Sequence, residues 1–300
     1  MTGWMIYNIE DYNKNRKYFE MHKEKADKLG INLELKFMEQ FSYGVNSHSE
    51  YFIQYDKQDV ELPQFVIGRM RNPLFTKQLE LMGVDVYNNS FVAEICNDKA
   101  KTYQFLAGSG IDVIPSEFVS ADVLDNKIER LNASNENDVK KLDNKVIKST
   151  SGHGGTEVYL ASNYPEEHFP TDVVMQPFVK GENEDIRVYV LDNAIVGAVK
   201  RKATNGFKAN FSLGGEASEY VLQQEESVLV DKIIAWFNKE SYKIEKTAGL
   251  FYVGIDFIVD ENGKWIFNEI EDVVGSRMLY KTSNIDIVDM YVRKLVSKYN

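Results

Sequence analysis

A single cysteine, Cys96, stands among 300 residues, so no internal disulfide can form and a reducing, cytoplasmic setting is expected. Flanked by Val92, Ala93 and Ile95, its thiol reads as a small buried group rather than a nucleophile. The chain also has no basic excess: 35 Lys and Arg face 46 Asp and Glu, for a net charge of −11. That balance argues against nucleic acid or an anionic membrane as a partner. It also makes any local basic patch a candidate site for a small anion. No apolar run approaches the length of a membrane span, so no transmembrane helix is expected. The first eight residues carry neither a basic segment nor a long apolar one, so no signal peptide is expected. The four histidines (His22, His48, His153, His168) are scattered and show no metal-ligand spacing.

What is present is an ordinary globular composition, 43% hydrophobic and 27% charged, enough for a substantial core. Strand-like segments at 3–9, 31–37, 64–68 and 84–87 alternate with helical ones at 13–29 and 72–82. That is the pattern of a small α/β domain with parallel pairing. From about residue 97 the character changes. A helix over 98–109 has Asn97 or Asp98 as its cap and Gly110 at its end. Strands are predicted at 115–119, 145–149, 157–161, 173–178, 185–191 and 194–201, with a polar stretch at 120–144 reading as a surface helix and loops. Further helices are predicted at 227–238 and 286–299. This part reads as antiparallel α+β lobes, with no internal repeat and no low-complexity segment.

Segments 250–259 and 264–271 are rich in strand formers and flank Asn262-Gly263, the signal for a two-residue type I′ hairpin turn. Such a turn sets Asp256 opposite Glu269, with Glu271 on the same face. Like charges facing one another destabilise a sheet. One reading is a divalent cation bridging the three acids, Mg²⁺ or Mn²⁺ given oxygen-only ligands; the other is an edge hairpin with solvated acids. Three further segments carry chemistry. Between two strand-like ends, Gly152, Gly154 and Gly155 permit close backbone approach and an anion nest, with Lys148 placed to reach a phosphate oxygen. A surface turn has the same composition, and the Walker pattern is absent. Over 175–187 an apolar strand enters a short linker whose backbone groups suit an adenine edge. Asp185 and Arg187 project from one face of the next strand, as site residues or as an ion pair. Lys200, Arg201 and Lys202, followed by Asn210 and Gly214-Gly215, suit a polyphosphate or else a solvated strand end.

Taken in that order, these segments resemble the ATP-grasp ligases, and within them the glutathione-synthetase-like branch that holds the RimK-type amino-acid ligases. The resemblance runs from about residue 65 to the C-terminus. It implies a three-lobed ATP-grasp fold of α/β and α+β parts. An N-terminal α/β domain would span 1–96, a central lobe with a glycine-rich flap 97–180, and a C-terminal antiparallel lobe with the metal site 181–300. The resemblance implies that Lys99, in Asn97-Asp98-Lys99, and Lys148 contact ATP phosphates. It also makes Gly152, Gly154 and Gly155 the phosphate flap, and Gln176, Phe178 and Val179 the adenine hinge. Asp185 and Arg187 match the family's Asp-Ile-Arg motif. Arg201 and Asn210 match the residues that face the γ-phosphate and acyl phosphate, and Asp256 and Glu269 match the magnesium carboxylates. Glu271 stands where the family usually has Asn, and Val274-Gly275 where it has Pro-Gly. Arg277, with Ser276, is a further departure, expected to orient a substrate carboxylate or to offset Glu271.

The implied activity is ATP-dependent, ADP-forming joining of a carboxylate to an amine through an acyl phosphate. Amino acids or peptides would be the substrates, with ATP and Mg²⁺ or Mn²⁺ as cofactors. Two other readings stay open, a macrocyclase acting on a ribosomal peptide and an ATP-binding module that no longer catalyses. Residues 1–60 are expected to shape the substrate site or a homo-oligomer surface.

Overall fold

The computed structural model describes residues 1–133, 144–152, 157–164, 171–181, 184–202, 216–245 and 249–299. Its N-terminal part alternates strand and helix as the sequence predicts, apart from an unpredicted ribbon of three strands within residues 41–59. The elements are β1 (Thr2–Tyr7), α1 (Ile9–Lys28) and β2 (Asn32–Phe37), then a ribbon of β3 (Phe41–Val45), β4 (Tyr51–Tyr55) and β5 (Gln58–Asp59). They are followed by β6 (Phe65–Gly68), α2 (Pro73–Leu81) and β7 (Asp85–Tyr87). The four longer-range strands pair in parallel in the order β2-β1-β6-β7. From β1 the chain turns toward β2, and from β6 it turns the other way, toward β7. The carboxyl ends of β1 and β6 therefore flank the topological switch point, where open α/β sheets hold their ligands. The aromatic stretch near residue 41 forms the antiparallel ribbon, with Phe41 packed on Trp4 and Phe75.

The second sheet is antiparallel and contains β8 (Glu117–Val119), β9 (Lys145–Ser149), β10 (Val158–Leu160) and β11 (Val173–Pro177), in the order β10-β9-β11-β8. Val119, Ile147, Val173 and Met175 bury one face under Leu124 of α5 (Ala121–Ala133).

The third sheet is also antiparallel: β12 (Glu184–Leu191), β13 (Ala194–Lys202), β14 (Glu216–Tyr220), β15 (Tyr252–Val259) and β16 (Trp265–Glu271), ordered β14-β13-β12-β15-β16. Asp192 and Asn193, at φ 48 and 64, make the two-residue turn predicted between β12 and β13. Strand periodicity divides the side chains. Ile186, Val188 and Val190 enter a core with Ile233 and Phe237 of α6 (Gln224–Glu245). That core also takes Val92 of α3 (Ser90–Cys96) and Leu106 of α4 (Lys99–Leu106). Tyr189, Leu191 and Val199 face the other way. They pack against α7 (Arg277–Thr282), α8 (Ile287–Val296) and Met5 and Phe65 of the N-terminal sheet. The helix predicted at 227–238 is longer, running over Gln224–Glu245, while its apolar contacts with the core end at Phe237.

The N-terminal sheet is joined to the third one by an amide that behaves like a strand. The Asn88 side chain donates to the carbonyls of Tyr252 and Asp272 at 2.7 and 3.1 Å, and accepts from the amides of Phe251 and Tyr252 at 2.9 Å each. Buried backbone groups that the ladder leaves open are satisfied by one side chain.

Candidate active site

On the second face of the five-stranded sheet, the row Leu191, Tyr189, Arg187, Asp185 passes from apolar to charged toward one end of β12. Arg187 donates through Nε and Nη2 to the two carboxylate oxygens of Asp256, each at 2.7 Å, while its Nη1 lies 2.9 Å from Glu271. Arg201 Nη2 donates to Asp256 at 2.7 Å and to Asp185 at 2.8 Å, and its Nε also reaches Asp185. Gly254 makes room for this: a Cβ there would sit 2.7 Å from Val274 Cγ2 and 3.2 Å from Arg187 Cδ. Burial pushes the Asp256 carboxyl up, but Arg187 and Arg201 outweigh it and hold it at about 2. Asp185 is lifted by its burial, against the pull of Arg201. The repulsion expected among Asp256, Glu269 and Glu271 is thus removed by cations of the chain itself, so the charges alone do not demand a metal. Of the two readings for Asp185 and Arg187, a direct ion pair does not form; the pairs are crossed, Asp185 with Arg201 and Arg187 with Asp256.

Asp256 does lie opposite Glu269, by a different route from the one predicted. The turn is not a two-residue type I′ loop. Among residues 260–264 only Gly263 has positive φ (79), the Gly263 amide donates to the Asp260 carbonyl, and the Asp260 amide donates to the Lys264 carbonyl. That is a three-residue loop with glycine in the left-handed position. It shifts the nearer pairs by one, to Val259–Trp265 and Phe257–Phe267, and a bulge at Asn268 then restores the register. The bulge re-aims a side chain: Asn268 Oδ1 accepts from Lys148 Nζ at 2.8 Å, and the Asn268 carbonyl accepts from the Tyr103 hydroxyl at 2.9 Å. Nothing in the local sequence marks Asn268 as a bulge.

The N-terminus of α4 brings a second cation to the same place. The Asp98 carboxylate caps the helix by accepting from the Lys101 amide at 3.1 Å, and the Lys99 amide donates to the Thr150 carbonyl at 2.8 Å. Lys99 Nζ donates to the Gly152 carbonyl and lies 3.7 Å from Glu269. Burial lowers the Lys148 ammonium to about 8, with Glu269 opposing and Lys99 adding to the shift.

Lys99, Gly152, Arg187, Arg201, Glu269, Glu271 and Arg277 line one cleft of about 400 Å³. Seven Lys and Arg side chains border it against three carboxylates, in a chain of charge −11. Lys148, Asp185 and Asp256 lie behind that surface. Phe178 and Val179 do not line that cleft but a separate hollow of about 370 Å³, with Lys180, Glu261 and Asn262. Gln176 is buried, its amide nitrogen donating to Ser116 at 2.8 Å and its carbonyl oxygen without a partner. Gly154, Gly155 and Asn210 lie outside the described residues. Sequence reasoning missed Asn268, and it missed Tyr7, Arg69 and Arg71, which also line the cleft. The arginines had a signal: Arg69 directly follows the apolar strand predicted at 64–68, and Arg71 comes two residues later.

Among the described residues, no three His, Cys, Asp or Glu side chains are gathered so as to hold a metal by themselves. Glu269 and Glu271, with side chains 33% and 28% exposed, present hard oxygens to the cleft, as does Asn268. Asp256 is fully buried with both oxygens held by Arg187 and Arg201, whereas Glu271 meets Arg71 and Arg187 at the cleft surface. Mg²⁺ commonly takes one or two carboxylates and completes its shell with water and phosphate oxygens, and Glu269, Asn268 and Glu271 fit that demand. No helix among the described residues is long and apolar enough to cross a membrane.

An uncharacterized protein of Mycoplasma genitalium, MG011, is 25% identical, over 97% of this chain and 91% of its own length. A probable alpha-L-glutamate ligase of Legionella pneumophila is 26% identical, over 74% of this chain and 70% of its own. The crystal structure of the D-cycloserine synthetase DcsG superposes over the full length of both chains, with a TM-score of 0.68 at 15% identity, a likeness of fold. Residues 96–295 match the RimK-like ATP-grasp domain, so the chain belongs to that family and is an ADP-forming carbon–nitrogen ligase.

Proposed function

We propose that the chain uses ATP to activate a carboxylate as an acyl phosphate and passes the acyl group to an amine, with an amino acid or peptide on each side. The observation that carries this is the cleft lined by Lys99, Arg201, Glu269 and Asn268, with Lys99 beside Glu269 and Lys148 bonded to Asn268 from behind its surface. A carboxylate is a poor electrophile. Attack of its oxygen on the γ-phosphorus, with ADP leaving, turns it into a good one. The amine nitrogen then attacks the acyl carbon, phosphate leaves, and the amine proton passes to water. Phosphoryl transfer of this kind asks chiefly for positioning and for neutralisation of spread negative charge. Lys99 and Lys148 hold phosphate oxygens in this reading, and Arg201 faces the transferred group. Phe178 and Val179 border the base. Mg²⁺ at Glu269, Asn268 and Glu271 would supply further neutralisation of the phosphates.

The lobe boundaries at 96 and 180 belong to the same reading, and so do the roles of Gly152, Gly154, Gly155 and Asn210. The relative named a probable alpha-L-glutamate ligase supports an acidic amino acid as one substrate. ADP and phosphate release, measured with ATP and Mg²⁺ over pairs of amino acids and short peptides, tests the proposal. Equal yields of ADP, phosphate and amide that appear only with a particular pair are expected. Phosphate release that no pair stimulates would overturn it.

Lys148 gives the site a pH dependence. It binds an anion well only when protonated, and its value of about 8 lies within the working range. Affinity for ADP alone is expected to be level below about pH 7. Above about pH 8 it should weaken by up to about tenfold per unit, with proton uptake on binding. Calorimetry in buffers of different ionisation enthalpy reads both. Affinity that stays level through about pH 9.5 would remove Lys148 from the phosphate contacts.

A further inference from the structure

At the other end of the same cleft is a cation that the nucleotide reading does not use. Arg69 directly follows β6, at the switch point of the parallel sheet, and is 6% exposed. Its guanidinium donates to the carbonyls of Val274 and Val273 at 3.1 and 3.3 Å and lies over the rings of Tyr18 and Tyr7. Among the described residues no carboxylate lies within ion-pair distance of it, and its buried Nε has no hydrogen-bond partner. Nor has the buried hydroxyl of Tyr7, at the carboxyl end of β1, or the buried Nε of Arg71. All three residues line the cleft shared by Lys99 and Arg201. The nearby Asp272 carboxyl is buried and pushed up to about 7, chiefly by that burial, so it is a weak counter-charge. A buried guanidinium with no ion-paired carboxylate among the described residues is costly unless an anion completes it.

We propose that the carboxyl ends of β1 and β6 hold the α-carboxylate of an amino-acid substrate, through Arg69 and Arg71, with Arg277 on the rim. The guanidinium fork matches a carboxylate in two-point contact. The surroundings select a carboxylate over phosphate. Arg71 is already shared with Glu271 at 3.3 Å and approached by Asp11 at 4.0 Å, so a second full charge on the anion would meet repulsion. Asp11 also borders the cleft and complements an ammonium, which makes the zwitterion of an amino acid the fitting ligand. Tyr7, Arg69 and Arg71 all lie before the residues that match the family domain, which begin at 96. Substrate selection on this account belongs to the N-terminal sheet and phosphate chemistry to the rest. The place of this amino acid in the reaction rests on the ligase reading. Its binding does not.

Calorimetry on the full chain tests this with the twenty L-amino acids and their α-carboxamides, with and without ADP. At least one amino acid is expected to bind about tenfold or more tightly than its carboxamide, the scale of a charge-assisted hydrogen-bond pair. Arg71→Gln should narrow that ratio to within about twofold, while affinity for ADP alone stays at its parent value. Arg277→Gln, at an exposed position, should reduce the ratio too, and keeps the test open should Arg71→Gln fail to fold. A ratio near one for every amino acid would overturn the proposal, as would a ratio that survives in both variants. Inorganic phosphate competing as well as the amino acid would overturn it as well. Failure of ADP to bind would count against the ligase reading instead, and the titrations without ADP would still decide the carboxylate subsite.

Discussion

Asp256→Asn is expected to destabilise the protein by about 3 kcal/mol, the cost of leaving buried guanidinium charge without its partner. At this chain length that is a fall of roughly 5 °C in the thermal midpoint. The substitution keeps the side chain's shape, so no cavity contributes. Asp256 is fully buried, and its two oxygens accept three hydrogen bonds from Arg187 and Arg201. Asparagine keeps one acceptor and turns its nitrogen toward a donor. Arg201 retains Asp185 and Arg187 retains Glu271, which is why the cost stays at the lower end for a broken buried pair. The acid limb of the stability curve carries the same signature. The folded value of about 2 lies below the ordinary 3.8, so this contribution is complete above about pH 4 and lost as the pH falls through 2. The variant should lack that loss. A midpoint equal to the parent's would show that the three-way contact contributes nothing to the fold.

Glu269→Gln is expected to do the reverse. ADP release with the pair found by the substrate panel should fall by about a thousandfold or more, the scale of removing a group that neutralises developing charge. The thermal midpoint should move by less than about 1 °C. Glu269 is part-exposed at the cleft and its only ion-pair contact among the described residues is the long one to Lys99. Losing it costs the fold little. Two carboxylates that face each other across one strand pair therefore answer to different measurements. Turnover that survives in Glu269→Gln would remove this residue from the metal and phosphate chemistry. A large drop in midpoint would make it structural.

Much of this protein was legible in its residue order. Periods of two and of about 3.6, glycines after helices and short polar turns locate the parallel N-terminal sheet and the two larger antiparallel ones, because those signals are local, but they miss the antiparallel ribbon β3-β4-β5. The motif order from Asn97 to Glu271 identifies the family for the same reason: residues such as Lys99, Lys148 and Arg201 are tied to particular strand and helix ends. Two local errors cancelled at the hairpin. A turn one residue longer than Asn262-Gly263 suggested is offset by the bulge at Asn268, so the Asp256–Glu269 pair was right for the wrong reason.

Residue order alone accounts for most of the elements, their faces and the family, since each depends on neighbours a few residues apart. Only the tertiary structure decided which charges meet. Arg187 and Asp256 are 69 residues apart, Lys148 and Asn268 are 120, and Arg69 and the Val274 carbonyl are 205. Whether an acid faces a metal, an arginine or water depends on which strand end lies beside it, and on the dielectric that burial imposes there. The pattern of apolar and polar residues fixes burial of each face but not the partner across it. That partner turns Asp256 into a counter-ion at the base of the cleft and leaves Arg69, among the described residues, bonded to carbonyls but to no carboxylate at its far end.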